Sequence, residues 1–488
     1  MGKLKEKWNN ISITTKASTA YTVCNILQRC LSFITLPLFT RLLTTTEYGQ
    51  YTIYSSWMGI IGLLMTLNLQ YGSFPTAMTK FEDKRNEYIS SIQGIILLLA
   101  AIFLVIYIPF SKFWNSLFNL PTIIVIVMVF DIITSTAIQF WMEKQRFEFK
   151  YKKVVILTLA TAIIAPLVAF LLVINNDSNK GYLRIVGYAG VGIIVGLFIF
   201  GLNIYKGKKI FDKEFWKYAF AFNIPLIPYY LSQTVFNQSD RIMIDKMCGT
   251  DKAAIYGVAY TLAMVLNMVL NAINASYVPW FYQKIKEGKE EEGRKTANGI
   301  ALLMAFLLMG VISLAPEIIT ILAGQQYIEA IWIVPPVAVS LLLLFYSQLF
   351  INVEFYYEKK WMLVLASILS AVANIILNWF FIKQFGYIAA GYTTLFSYLL
   401  FALCNYFAMK QGVKKQSFSR KAFDYKTLTL IFVGFCILTA IAMALYKVPI
   451  ARWIIVACVL IGLIIFRKQV TKFVKTTVLN KEQVSKNE

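Results

Sequence analysis

Apolar runs of about twenty residues alternate with short, mostly basic segments from residue 18 to residue 467. A helix needs ~20 apolar residues to cross a hydrocarbon core of ~30 Å, and it closes its own backbone hydrogen bonds there. The chain lacks the ten-residue alternation of a membrane β-barrel. The pattern therefore predicts an all-α integral membrane protein. With the charged segments as punctuation, fourteen spans fall near 18–40, 52–70, 88–109, 121–141, 154–174, 185–205, 218–239, 254–278, 297–322, 330–352, 361–381, 387–409, 427–446 and 451–467. The connecting loops are short, so no inserted soluble domain is expected.

Polar residues interrupt some of these spans in a regular way. In the first, Ser18, Thr22, Asn25, Arg29 and Ser32 recur at i, i+4, i+7, i+11 and i+14, one stripe on an otherwise apolar helix. A charge near mid-bilayer costs at least ~2.5 kcal/mol, so Arg29 needs a wet or protein environment. The fourth span has Asp131 near its middle, with Ser135 and Gln139 below it. The seventh carries Tyr230, Gln233, Asn237 and Asp240 with Arg241 beside them, and the eighth carries Tyr260, Asn267, Asn271 and Asn274. Gln348, Asn352, Asn374 and Asn378 mark the tenth and eleventh. A single buried amide is accounted for by an interhelical hydrogen bond of under ~2 kcal/mol. Stripes on several helices point instead to a hydrophilic cavity.

Two readings stay open for Arg29: an ion pair with Asp131, or a cation for an anionic substrate group. The planar guanidinium fork suits phosphate. Asp131 is either a salt-bridge partner or an ion-coupling site. Asp240 and Arg241 lie at an outer helix end, where a solvated local ion pair is expected; with Arg41 they are also candidates for a portal or gate.

Composition agrees with the pattern. Of 488 residues, 58% are hydrophobic and 15% charged, and the mean hydropathy is +0.63. The net charge of +22 would suit nucleic acid, but the basic residues gather in alternate loops and the C-terminal tail. That is the positive-inside asymmetry, and it puts both termini in the cytoplasm and the basic face against anionic lipid, with no nucleic-acid partner. The basic N-terminal segment runs into a full-length span and is not expected to be a removable signal peptide. Six cysteines without CxxC spacing read as small core residues. There is no histidine and no GxGxxG, Walker A or HExxH motif, which argues against an enzyme, an ATP-driven pump or a resident cofactor. A proton or sodium gradient remains as an energy source, with Asp131, Asp240 or Glu317 as carboxylates for a proton. Gly192 and Gly196 form a GxxxG in the sixth span, a signal for close helix contact.

The first and seventh spans are similar in layout: a polar-striped helix, an outer arginine (Arg41, Arg241), a short loop, then a Tyr-Gly pair (Tyr48-Gly49, Tyr256-Gly257). Six helices separate them, which predicts a parallel repeat. The expected domains are 1–211 (spans one to six), 212–412 (spans seven to twelve), and 413–488 with the last two spans and a basic tail.

The segments LPLFTRLLTTTEYGQY after Arg29, SDRIMI followed by IYGVAY, and NIILNWFFIKQFGYIAAGY resemble the polysaccharide-export flippases of the multidrug/oligosaccharidyl-lipid/polysaccharide transporter superfamily, over about residues 15–410. The best-defined piece is Asn374-x-x-Leu377-Asn378, with Gly386 and Gly391 downstream. The resemblance implies a V-shaped, MATE-like two-lobe fold that moves an undecaprenyl-pyrophosphate-linked oligosaccharide to the outer face of the bacterial inner membrane by alternating access. It implies a diphosphate-binding role for Arg29, which corresponds to the cavity-facing cations of such proteins. Thr22, Asn25, Gln233, Asn237, Tyr260, Asn267 and Asn271 are then the expected substrate contacts. Polymerase and glycosyltransferases of the same pathway are the expected partners. A cation-coupled drug exporter of the same superfamily and a non-transporting scaffold of an assembly complex are the rivals.

Overall fold

The computed structural model describes residues 12–358, 360–414, 418–419 and 421–474, with Arg29, Lys360, Val459 and 463–474 described by backbone alone. Eighteen α-helices follow one another, with short 3-10 turns and no strand among the described residues. They are α1 Ile13–Leu42, α2 Thr45–Thr66, α3 Ser73–Lys80, α4 Arg85–Tyr107, α5 Ser111–Phe118, α6 Thr122–Phe147, α7 Tyr151–Ile174, α8 Lys180–Gly207, α9 Lys213–Asn223, α10 Ile227–Cys248, α11 Thr250–Lys286, α12 Glu292–Ser313, α13 Ala315–Leu322, α14 Val334–Tyr356, α15 Lys360–Phe385, α16 Ala389–Gly412, α17 Tyr425–Ala444 and α18 Pro449–Val474.

Among the described residues, eleven helices are long and apolar enough to cross a membrane, against the fourteen spans expected. For two helices the difference has a chemical cause: α2 and α10 are 22 residues each, long enough to span, but threonine, serine, glutamine, asparagine and aspartate lower their apolarity. In α18 the apolar stretch within the described side chains is Pro449–Gly462.

The chain divides into two compact units, Met1–Ala254 and Ile255–Glu488. Against the boundary expected at 211/212, this division leaves α9 and α10 in the first unit, where α9 packs on α4 and α10 on α2. Gly59 allows this approach: a Cβ there would lie 3.3 Å from the Gln238 side chain.

In the first unit α8 packs against α6, α7, α4 and α2. Its glycines set the spacing. A Cβ on Gly187 would come 2.4 Å from the Ala169 Cα of α7, and one on Gly196 would come 2.4 Å from the Thr134 Cβ of α6. Of the GxxxG pair, Gly196 makes the expected close contact and Gly192 does not; its Cβ would sit an ordinary 3.7 Å from Asp131 Oδ1. Apolar side chains fill the remaining space, with Tyr54, Met128, Ile132 and Ile185 in one cluster and Phe74, Tyr88, Phe140 and Phe215 in another.

Helix α1 lies on α7 and buries little of itself. Cys24 is buried on it and Cys30 is exposed, and neither forms a disulfide. Thr44 and Glu47 close a reciprocal capping box at the start of α2, each side chain bonding the other's backbone N–H.

In the second unit α14 is buried on most of its surface, against α16, α12, α17 and α15. Arg452 of α18 reaches Glu317 of α13 at 2.8 Å, so Glu317 is held in an ion pair. Asn378 donates to Asn374 at 3.1 Å, and Thr393 bonds Asn378.

Candidate functional site

The fourth-span stripe builds the site in the first unit. Asp131, Ser135 and Gln139 follow one another at i, i+4 and i+8, so they share one face of α6. The Asp131 carboxylate accepts a 3.0 Å hydrogen bond from the hydroxyl of Tyr54 on α2. The Ser135 and Thr136 hydroxyls donate to the Ile132 carbonyl at 3.3 and 2.6 Å, as they do when a membrane helix must satisfy them locally.

Beside Ser135 and Gln139 lies a cavity of about 190 Å³. Helix α2 lines it with Met58, Gly59, Gly62, Leu63 and Thr66, the turn after α2 with Asn68 and Gln70, α6 with Ile132, Ser135, Thr136 and Gln139, and α10 with Thr234. Two glycines on α2 leave the room. The lining is polar and contains no charged side chain. The Oε1 atoms of Gln70 and Gln139 are buried without a hydrogen-bond partner. A buried acceptor left unmade costs ~1–3 kcal/mol, which a hydroxyl donor entering the cavity would recover. The volume equals that of about six waters at ~30 Å³ each, enough for one sugar-sized ring.

One helical turn from Tyr54 on α2, Tyr51 faces a cation that sequence reasoning missed. Arg184, near the start of α8, is 5% exposed. Its guanidinium carbon lies 4.0 Å from the Tyr51 ring centroid, 4.5 Å from Phe39 and from Tyr48, and 6.0 Å from Tyr188. Its Nε and Nη1 have no hydrogen-bond partner. The π faces of these rings replace a carboxylate as its counter-charge. The sixth span is expected to begin at 185, which leaves Arg184 in the preceding loop; the structure instead puts it inside α8 and buries it.

The other expected residues are placed as follows. Thr22 and Asn25 are exposed on α1, and the Thr22 hydroxyl donates to the Ser18 carbonyl at 2.9 Å. The Arg29 side chain lies outside the described residues. Among the described residues, none of α1 lines the cavity. On α10, Asn237 donates to the Gln233 carbonyl at 2.8 Å, and the cavity takes Thr234 rather than either of them. Arg241 donates to Gln238 at 2.8 Å and Asp240 is only 2% exposed, so Asp240 is buried where a solvated ion pair was expected. Arg41 is exposed in the last turn of α1.

In the second unit Tyr260 is buried and stacks near Tyr256 at 6.1 Å, and Asn271 is exposed. Asn267 directs its amide at the Met264 sulfur at 3.5 Å, and its buried Oδ1 has no partner. Asn352 donates to Asn274 at 3.0 Å, an interhelical bond of the structural kind.

Solved structures with this fold define the class. The chain is similar to the lipid II flippase MurJ in its inward closed conformation, with a TM-score of 0.69, 13% identity, and coverage of 92% of this chain and 99% of that one. It is also similar to an inward-facing multidrug resistance MATE family transporter of the MOP superfamily, with a TM-score of 0.60, 13% identity, and coverage of 82% and 100%. The chain shares the fold of these two transporters and is a multi-pass membrane protein. Residues 14–285 match the family described as polysaccharide biosynthesis protein, and the chain belongs to that family. The putative protein 1 of the Lsg locus of Haemophilus influenzae is 24% identical over 382 residues, 73% of this chain and 88% of that protein. Membership and fold agree with the resemblance read from the sequence.

Proposed function

We propose that this protein carries an undecaprenyl-pyrophosphate-linked oligosaccharide from the cytoplasmic to the outer leaflet of the bacterial inner membrane, by alternating access. Both termini then lie in the cytoplasm, where the basic loops meet anionic lipid and the enzymes that build and polymerise the unit. The observation that carries the reading is the uncharged cavity between α2, α6 and α10, whose amide and hydroxyl side chains suit sugar hydroxyls. Family membership supports polysaccharide biosynthesis as the setting, and the likeness to a lipid II flippase supports a lipid-linked cargo. Gln70 and Gln139 receive the glycan, Arg29 takes the diphosphate, and the lipid tail stays in the bilayer. Polar room inside the first unit favours transport over a scaffold that would pack dry.

The test is a flipping assay in proteoliposomes loaded with lipid-linked oligosaccharide from the source cell. Gln139→Leu is expected to slow transport about tenfold, the worth of one lost hydrogen bond of ~1.4 kcal/mol, with an unchanged melting midpoint. Arg29→Ala is expected to slow it further, since a charge-assisted bidentate contact is roughly twice as strong as a neutral one. Wild-type rates in both variants would remove the reading.

A further inference from the structure

A second buried group lies far along the chain from the cavity and serves no part of the mechanism above. Glu354, in the last turn of α14, is 2% exposed, and neither of its carboxyl oxygens has a hydrogen-bond partner among the described residues. Phe350, one turn earlier on the same face, meets the ring of Tyr406 on α16 at 5.6 Å and those of Phe423 and Tyr425 at 5.9 and 6.5 Å. That face of α14 therefore looks onto rings.

Among the described residues, these charged groups at the neighbouring helix ends are engaged elsewhere or face outward. Lys284 of α11 is held by Glu287 and Glu292 at 3.1 and 3.0 Å. Asp424, ahead of α17, accepts from the Thr427 N–H at 3.1 Å and from its hydroxyl at 2.7 Å, and Arg294 of α12 acts on Asp424. Lys295 of α12, Lys410 of α16 and Lys426 of α17 are exposed. Glu290 accepts from the Ser419 N–H at 2.7 Å.

An ionised carboxylate needs donors, a cation or water, and a protein interior that supplies none of these strongly disfavours it. A neutral carboxylic acid meets a much smaller penalty. Carboxylates buried in membrane helices are accordingly rare and commonly serve as proton relays.

We propose that Glu354 is a proton-binding site of this transporter. The carboxyl holds its proton while the end of α14 is closed by α16 and α17. When those contacts part, the O–H bond breaks, the proton passes to water on the side bearing the basic loops, and the carboxylate left behind is hydrated. Two conformations that differ in affinity for a proton are shifted by proton concentration, so the site ties a step of the transport cycle to pH on that side.

The proposal is tested on the full chain reconstituted in lipid vesicles by infrared spectroscopy, which reads the carbonyl stretch of a protonated carboxylic acid free of hydrogen bonds. That band is expected in the wild type, to fade as pH is raised, to vanish in Glu354→Gln and to persist in Glu354→Asp. A band that survives Glu354→Gln, or a wild-type spectrum without one at every pH where the protein stays folded, overturns the proposal. The readout needs no cargo, so its outcome is independent of which lipid-linked molecule is carried.

Discussion

Gly196→Leu is expected to leave little folded protein that can be extracted from the membrane. Helix α8 meets α6 at Gly196 with a Cβ position 2.4 Å from Thr134 Cβ and 2.8 Å from the Thr134 carbonyl oxygen. The nearest obstacles are a β-carbon and backbone, which no rotamer change moves aside. Overpacking of this kind costs ~1–3 kcal/mol even where neighbours can yield, and here relief requires α8 to lift from α6. Since a domain has only ~5–15 kcal/mol in hand, that displacement is a large share. It would also disturb Asp131, three residues before Thr134. Gly192→Ala is the control, because its new methyl meets Asp131 Oδ1 at an ordinary 3.7 Å. Monodisperse yield by size exclusion and the melting midpoint in detergent decide the matter. Gly196→Leu protein that behaves like wild type on both would show that the α6–α8 contact is looser than described.

Arg184→Ala is expected to cost about 2–4 kcal/mol of stability. A desolvated cation–π contact contributes up to ~2 kcal/mol, and emptying the space of a long buried side chain adds a cavity penalty. Removing a buried charge refunds part of this through relieved desolvation. Arg184→Met separates the two effects, since it keeps most of the volume and drops the charge. If the guanidinium attraction dominates, Arg184→Met falls with Arg184→Ala; if volume dominates, it stays near wild type. Thermal melts of the three proteins in the same detergent give the answer, and an unshifted Arg184→Ala midpoint would contradict the caged geometry.

These two positions mark what the sequence could and could not tell. Lipid demands unbroken apolarity, so the long apolar helices were legible; α2 and α10, expected at 52–70 and 218–239, run over Thr45–Thr66 and Ile227–Cys248, and their polar residues keep both outside the apolar class. Asp131, Ser135 and Gln139 were legible as a set because helical spacing alone puts them on one face. The room beside them was not. It depends on Gly59 and Gly62 facing Thr234 across an interface between helices far apart in the chain. Arg184 escaped because its meaning lies in Phe39, Tyr48 and Tyr51, which come from other helices. Glu354 drew no notice in the sequence, because only packing removes it from water. The chain's division at 254 likewise follows from how α10 packs, which no local pattern records.

Helix α1 carries its own chemical reporter. Cys30 is exposed immediately after Arg29, while Cys24 is buried and neither is tied up in a disulfide. Thiol reagents attack the thiolate, which forms in water and not in hydrocarbon. A charged maleimide that labels Cys30 and spares Cys24 would therefore report solvent on the flank beside Arg29, and labelling from one side of a sealed vesicle would tell which compartment that solvent joins.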